Sequence, residues 1–324
     1  MKKSAFLLLL LPLLAGCKES TDTPNPVESS KISLLGSVSS TVNTRGDGVI
    51  DPSVSGFETK VLGLNFARIN QDAATGVYPS YGSTALNATR AAGTGSKAIA
   101  FDAGSEQYYT PAGTNSSSKM VGWYPRVSEN GSVSFASGVV SFTIDGSTDV
   151  MLSNEVAGST AALFSADEKK FTFNHLLTQL QFKVYAVDDA AKTSWGTITS
   201  VKVKSQYTAC SVTLPAAISF PTTGTTSDLS VLSGATLEMG VGSANAVSVG
   251  YSMIAPVAPA GSVTLEIVTS AGETGTVVIP VPATGFLASN AYVITLSFSN
   301  RGITGSAGIG AWESHTVADE VGVS

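Results

Sequence analysis

The sequence predicts an all-β fold of two tandem antiparallel β-sandwich domains, and three observations carry that prediction. Charged residues make up only 13% of the 324 residues, whereas glycine, serine and threonine are abundant. Such a composition suits short strands and tight turns better than helices, whose exposed faces would need more Glu, Lys and Arg. Short apolar or alternating stretches also follow one another at fairly even spacing, without a long helical pattern between them. The length and the 43% apolar content are sufficient for two domains with their own cores.

The N-terminus has the pattern of an export signal followed by a tether. Residues 1–16, MKKSAFLLLLLPLLAG, place two lysines before an apolar run that is too short to span a bilayer. Leu14-Ala15-Gly16-Cys17 resembles the lipobox of bacterial lipoproteins, in which the signal is removed between Gly16 and Cys17 and the Cys17 thiol carries a lipid. An ordinary signal with a chance cysteine is the alternative. The polar residues 17–30 are expected to form a flexible tether.

The first predicted strand follows the tether directly. Even positions carry Ile32, Leu34, Gly36, Val38, Ser40 and Val42, while the odd positions are polar apart from Leu35. A period of two indicates a strand with one buried face. The strand is expected to end at the turn sequence around Arg45, so that residues 31–45 form the first strand and its exit.

Strand-like stretches continue through both predicted domains. In the first they include VLGLNFARI, KAIAFD, MVGWYP, GSVSFASGVVSFTI and DVMLS. In the second they include FTFNHLLTQLQFKVYAV, GTITSVKVKS, CSVTL, VSVGYSMIAPV, GSVTLEIVTS, GTVVIPV and AYVITLSFS. A boundary near Ala166 divides the chain into an N-terminal domain, residues 31–166, and a C-terminal domain, residues 167–324.

Residues that carry catalysis are few, and we predict neither an enzyme nor a cofactor or metal site. The two histidines, His175 and His315, are far apart and have no ligand or nucleophile at motif spacing. The GTGSK stretch is interpreted as a glycine turn, and paired carboxylates such as Asp188 and Asp189 lie in turn-like sequence. A hydrolase that assembles distant carboxylates remains open. The 24 acidic against 18 basic residues, without basic clusters, argue against nucleic acid as a partner.

Three single residues have a structural and a functional interpretation, and the structural one is favoured in each case. His175 is predicted to be a packed, hydrogen-bonded strand residue rather than a ligand. Cys210 is predicted to be a small buried side chain, and with only two cysteines a disulfide framework is excluded. Trp123, with Tyr124, is expected in core or turn packing, with a sugar-stacking platform as the alternative.

Several motifs in fixed order resemble those of the fimbrillin family, the Bacteroidales-type subunits of type V fimbriae. They are the lipobox, GWYPR followed by TDVMLS, FTFNHLLTQLQFKV, YSMIAPV, FLASNAYVITLSF and the closing GITGSAGIGAWES. The HLLTQLQFKV segment is the most specific of them, and the resemblance runs from Cys17 nearly to the end.

That resemblance implies two transthyretin-like β-sandwich domains and an assembly route. The subunit would reach the cell surface as an outer membrane lipoprotein, and an Arg-specific, trypsin-like protease would cut between Arg45 and Gly46. The cut would remove the first strand with the lipid, and a strand from another pilin subunit would fill the groove by donor-strand exchange. No cofactor is implied.

Arg45 itself has three interpretations that the sequence leaves open. Its isolation among basic residues, its Gly-Asp-Gly flank and its place after a strand favour a protease site. Plain turn chemistry, which Gly46-Asp47-Gly48 supplies in any event, is the second. An integrin-type Arg-Gly-Asp signal is the third.

The C-terminal residues 302–324 are the predicted donor strand. Ile303, Gly305, Ala307, Ile309 and Ala311 share one face, and Val317, Val321 and Val323 extend the same odd-numbered register. The alternative function is a monomeric surface lipoprotein that keeps its lipid and binds a glycan or host protein through its loops. Stalk, tip and anchor roles are not separated by the sequence.

Overall fold

The computed structural model describes residues 31–39, 59–128, 131–300 and 302–310, and strands account for most of the regular structure in these ranges. The earlier strands are β1 (Leu34–Val38), β2 (Leu62–Asn70), β3 (Leu86–Arg90), β4 (Lys97–Phe101), β5 (Ser118–Tyr124), β6 (Val133–Ala136), β7 (Val139–Thr143), β8 (Met151–Ser153), β9 (Val156–Gly158) and β10 (Phe171–His175). The later strands are β11 (Thr178–Ala186), β12 (Ile198–Tyr207), β13 (Ala209–Thr213), β14 (Ala217–Ser219), β15 (Thr226–Leu232), β16 (Gly240–Val241), β17 (Val247–Ile254), β18 (Ser262–Thr269), β19 (Thr274–Pro280), β20 (Ala291–Ser299) and β21 (Gly302–Gly310).

Helical structure in the described ranges is confined to short segments. The helix α1 (Asp189–Trp195) follows β11, and its N-cap Asp188 accepts a hydrogen bond from the Ala191 backbone N–H at 2.7 Å. Two single-turn 3-10 segments, Asp167–Lys169 and Ser243–Asn245, are also present. None of these helices is long and apolar enough to cross a bilayer. The predicted all-β fold class is confirmed.

The N-terminal sheet closes on itself. Its eight strands run in the order β2-β3-β4-β1-β10-β8-β5-β9. An additional pairing of β2 with β5 closes seven of them into a barrel-like circuit, and β9 pairs with β5 outside that circuit. The pairings around this circuit are antiparallel except that of β1 with β10, which is parallel. The circuit encloses an apolar core rich in phenylalanine, in which Phe66 makes edge-on contacts with Phe101, Phe171 and Phe173.

The later strands form two further sheets. In the first, β11 pairs with β17 and β16 on one side and with β20 on the other, and β21 follows β20 at the edge. In the second, the order is β15-β12-β18-β19, with antiparallel pairing throughout. The alternating apolar residues of β11, β12, β18 and β20 belong to one buried cluster, as expected for sheets that share a core.

A fourth sheet joins strands from both parts of the chain. Its order is β14-β13-β7-β6, so that a hairpin before the predicted boundary pairs with a hairpin after it. Trp123 on β5 packs against Phe135 on β6 with ring centroids 4.8 Å apart, which connects this sheet to the outer face of the barrel. The two parts of the chain therefore share hydrogen bonds as well as apolar contacts.

Sheet membership changes between His175 and Thr178, later in the chain than the predicted boundary near Ala166. β10 pairs with β1 and β8 in the barrel, whereas β11 begins the sheet with β17 and β20. The FTFNHLLTQLQFKV stretch thus supplies one strand to each, with Leu176 and Leu177 between them. The division into two tandem domains stays a prediction.

Candidate functional site

The first strand occupies a slot inside the barrel wall. β1 pairs with β4 on one side, where Leu34 lies opposite Ile99, and with β10 on the other, where Val38 lies opposite Phe173. Two further backbone hydrogen bonds hold the residues that flank β1. Ile32 N–H donates to the Gln107 carbonyl at 2.8 Å, and Ser39 N–H donates to the Phe173 carbonyl at 2.9 Å. The strand therefore has hydrogen-bonded neighbours along both of its edges.

Apolar side chains fix the inner face of β1. Ile32, Leu34 and Val38 are 2%, 1% and 5% exposed, and they belong to the barrel core. The predicted alternation is confirmed over these positions, because Ser33 is exposed and Leu35 and Ser37 are half-buried. Complete burial of an aliphatic side chain contributes about 1.5–3 kcal/mol, so this short strand supplies a substantial part of the barrel's stability.

Gly36 sits where the slot is narrowest. It pairs with Lys97 of β4 and with Phe171 of β10. A Cβ atom at this position would overlap Cδ1 of the buried Ile99 and would lie 3.2 Å from the Phe171 carbonyl oxygen. A larger residue would have to displace the end of the Ile99 side chain and crowd the Phe171 carbonyl, so glycine is favoured here by close packing and not by its backbone conformation.

Arg90 contacts the same glycine from inside the barrel. Its side chain is 0% exposed, and its Nε donates to the Gly36 carbonyl at 3.1 Å. Its two terminal nitrogens donate to three carbonyls of the following loop, those of Ala91 at 3.0 Å, Gly93 at 2.9 Å and Gly95 at 2.6 Å. Burial lowers the pKa of Arg90 from its ordinary value, which is so high that the guanidinium remains charged.

Sequence reasoning missed Arg90, although a signal was present. Leu86, Ala88 and Arg90 are alternate residues of β3, and all three are buried on the inner face. The period of two thus places an arginine in line with apolar residues, which marks a buried charge. What it contacts could not be predicted, because Gly36 is 54 positions away in the sequence.

The predicted donor region begins as the last strand of the described chain. β21 pairs antiparallel with β20 and forms the edge of its sheet among the described strands. Ile303 and Ala307 are half-buried and pack on the core, as the predicted shared face requires. A Cβ at Gly305 would overlap Cδ1 of Ile279 and lie 3.1 Å from Cδ2 of Leu296. The backbone of Ile309 pairs with Tyr292.

The remaining predicted site residues lie outside the described residues. These are Gly16, Cys17, Arg45, Gly46, Val317, Val321 and Val323. The described part of β1's segment ends at Ser39, six positions before Arg45 in the sequence. The roles of these seven residues stay predictions.

The structural interpretations of single residues are confirmed. His175 is 5% exposed, and its Nδ1 lies 2.6 Å from Oδ2 of the buried Asp149. Burial raises the pKa of the Cys210 thiol to about 12, so this side chain is a poor nucleophile. Trp123 is fully buried in the core.

The turn interpretations hold as well. Gly93 and Gly95, in the GTGSK stretch, have φ values of 115° and 69° in the loop before β4. Asp188 caps a helix, as described above. Among the described residues, no group of three or more His, Cys, Asp or Glu side chains is placed to hold a metal ion.

Solved structures of low sequence identity share this fold. A proposed cell adhesion protein from Bacteroides uniformis has 19% identity and a TM-score of 0.57, over 87% of this chain and 98% of that one. A second such protein, from Bacteroides ovatus, has 20% identity and a TM-score of 0.53, over 88% and 99% of the two chains. A fimbrial protein from Bacteroides vulgatus has 14% identity and a TM-score of 0.50, over 87% and 99%.

The sequence itself also matches a family model. No curated protein matches the chain. The model described as Fimbrillin-like, however, matches residues 67–312, which include β5, the HLLTQLQFKV segment and the whole of β21. Since this match covers well over half of the sequence, the chain belongs to the fimbrillin-like family.

Proposed function

We propose that the protein is a non-enzymatic structural subunit of a cell-surface fimbria that is exported as an outer membrane lipoprotein through Cys17. An Arg-specific protease cuts between Arg45 and Gly46, and the subunits then polymerise by donor-strand exchange and support adhesion. The donor strand comes from residues 302–324 of another subunit. Family membership supports the fimbrial role, and the steps of assembly are proposed from the residues and the position of β1.

The observation that carries the proposal is the place of β1 between β4 and β10. Loss of an edge strand would shorten a sheet, but loss of β1 would interrupt a closed circuit and leave two strand edges facing each other. The backbone groups of Lys97, Ile99, Phe171 and Phe173 along those edges would need new partners. The positions of Ile32, Leu34 and Val38 would become apolar pockets, and a strand with period two can fill such pockets while it restores the ladder.

A cut at Arg45 supplies the means to release β1. Arg45 follows the strand closely in sequence and precedes the described part of β2's segment, which begins at Thr59. Once the chain is cut, β1 is held by noncovalent contacts alone. A competing strand that is tethered to a neighbouring subunit then has the advantage of a high effective concentration.

Arg45→Ala tests the proposal. We expect the variant to be exported but to stay monomeric, while the wild-type chain gives heat-labile ladders on a denaturing gel. Asp47→Ala is the matched control, because it alters the turn and removes the Arg-Gly-Asp triplet but retains the arginine. Its ladders should match those of the wild type.

Other outcomes separate the alternatives. Unchanged polymers from Arg45→Ala would overturn the proposed processing. Wild-type protein recovered only as an acylated monomer in the presence of the protease would favour a surface lipoprotein that binds a glycan or host protein through its loops.

A further inference from the structure

The first and last strands of the described chain carry the same arrangement of residues around a glycine. In β1 the arrangement is Leu34, Gly36 and Val38, and in β21 it is Ile303, Gly305 and Ala307. We name each an apolar-glycine-apolar triplet. In both triplets a Cβ on the glycine would overlap Cδ1 of a buried isoleucine, Ile99 for β1 and Ile279 for β21.

We infer that the β1 slot is a register lock, which binds a donor strand most tightly when a glycine occupies the Gly36 position and presents its carbonyl to Arg90. This inference rests on the proposed exchange of β1, and it specifies which strand of a second copy of the chain can take part. Ile99 and the Phe171 carbonyl crowd any side chain at that position. Arg90 provides the polar contact that marks it.

Arg90 is suited to this role because three of its hydrogen bonds do not depend on β1. The acceptors of these bonds, the carbonyls of Ala91, Gly93 and Gly95, belong to the loop that follows the strand of Arg90. These hydrogen bonds would hold the guanidinium in place when β1 leaves. Its Nε would then point at the place that the Gly36 carbonyl had occupied, and a charged donor in an apolar slot strongly favours a strand that satisfies it.

Register matters because a strand with period two could otherwise slip by two residues and still bury an apolar face. A shift of that size would move Leu34 or Val38 into the position of Gly36, against Ile99. Overpacking of this kind typically costs about 1–3 kcal/mol, which corresponds to about a 5- to 150-fold loss of affinity. The lock therefore converts an apolar groove into one with a defined alignment.

The C-terminal sequence contains a single segment that meets the requirement. Of the glycines in residues 302–324, only Gly305 has apolar residues two positions away on both sides. β21 lies at a sheet edge with β20 as its described neighbour, and its apolar side chains are half-buried, whereas those of β1 are almost fully buried. The structure thus assigns Ile303, Gly305 and Ala307 of a second copy as the residues that enter the slot.

The test measures uptake of labelled peptides by the full chain after cleavage at Arg45. One peptide is the native residues 31–42, a second carries Gly36→Ala, and a third has residues 34 and 36 exchanged, so that its composition is unchanged. We expect the alanine peptide to bind about tenfold more weakly than the native one and the exchanged peptide about 100-fold more weakly. A peptide of residues 302–313 should be taken up, and its Gly305→Val variant should not.

Ile99→Val provides the complementary change in the protein. Valine lacks the Cδ1 atom that would overlap a Cβ at position 36. The variant should therefore reduce the difference between the native and alanine peptides. Arg90→Lys, in contrast, should weaken both of these peptides by a similar factor, about tenfold, because each presents the same carbonyl.

The outcomes distinguish this inference from the proposed function. Equal uptake of the native and exchanged peptides would overturn the register lock and leave strand exchange standing. Uptake of no peptide by a chain that is shown by mass spectrometry to be cut after Arg45 would overturn both. The peptide comparison needs no protein variant, so the inference remains testable even if Arg90→Lys or Ile99→Val fails to fold.

Discussion

The first and last strands of the described chain use the same triplet in different surroundings. β1 places its triplet between β4 and β10 inside a closed circuit, whereas β21 places its triplet at a sheet edge beside β20. The inner apolar positions of β1 are almost fully buried, and those of β21 are half-buried. One pattern therefore occurs both inside a closed barrel wall and at the edge of a sheet.

The proposed strand exchange places different requirements on the slot that loses its strand and on the strand that enters it. An empty slot must be unfavourable in free energy, because that free energy drives the uptake of a replacement strand. The strand that moves must be held less strongly, because its own domain has to remain folded after it leaves. The slot of β1 fits the first requirement, because Ile32, Leu34 and Val38 are almost fully buried. The edge position of β21 and its half-buried apolar side chains fit the second.

The largest difference is expected for truncation of an apolar side chain. Leu34→Ala should lower the free energy of unfolding by about 3 kcal/mol, since it leaves a cavity in the barrel core. Ile303→Ala should cost about 1 kcal/mol, because this side chain is half-buried and its strand lies at an edge. Urea unfolding of both variants measures the two values, with Ser33→Ala as an exposed control. Equal losses would contradict the comparison.

Filling the glycine positions should give a smaller difference. Gly36→Ala is expected to cost about 2 kcal/mol, because Ile99 and the Phe171 carbonyl enclose the site from both neighbouring strands. Gly305→Ala should cost about 1 kcal/mol, because β21 can shift outward. The same unfolding measurement applies. A larger loss for Gly305→Ala would mean that the edge strand is the more rigidly held of the two.

The smallest difference concerns the serines beside the triplets. Ser39 Oγ donates to the Phe173 carbonyl at 3.0 Å, so Ser39→Ala should cost about 0.5–1 kcal/mol. Ser306 is exposed, and Ser306→Ala should change stability by less than about 0.5 kcal/mol. A measurable loss for Ser306→Ala alone would show that the outer face of β21 is engaged by another part of the protein.

Local sequence patterns predicted much of β1 but not its neighbours. The period of two identified the buried positions Ile32, Leu34, Gly36 and Val38, which the structure confirms. Its pairing with β4 and β10 could not be predicted, because Ile99 and Phe171 are distant in sequence and alternation does not encode partners. The preference for glycine at position 36 follows from those partners, so it could not be predicted from the sequence either.

Long-range pairing around the predicted boundary was equally inaccessible to sequence patterns. The transition near Ala166 was inferred from a polar stretch, yet β10 follows that stretch and completes the barrel. The pairing of β7 with β13, which joins two hairpins, also crosses the predicted boundary. The pairing of β10 in the barrel and that of β7 with β13 depend on hydrogen bonds between residues that are distant in sequence. A polar loop indicates only where a strand ends.

N-terminal sequencing of chains recovered from assembled fibres tests the central claim most directly. If β1 is removed and its slot is filled by a neighbouring subunit, the recovered chains should begin at Gly46 and should lack the lipid on Cys17. Fibres built from chains that still contain residues 31–39 would contradict the account, since β1 would then remain available to occupy its own slot.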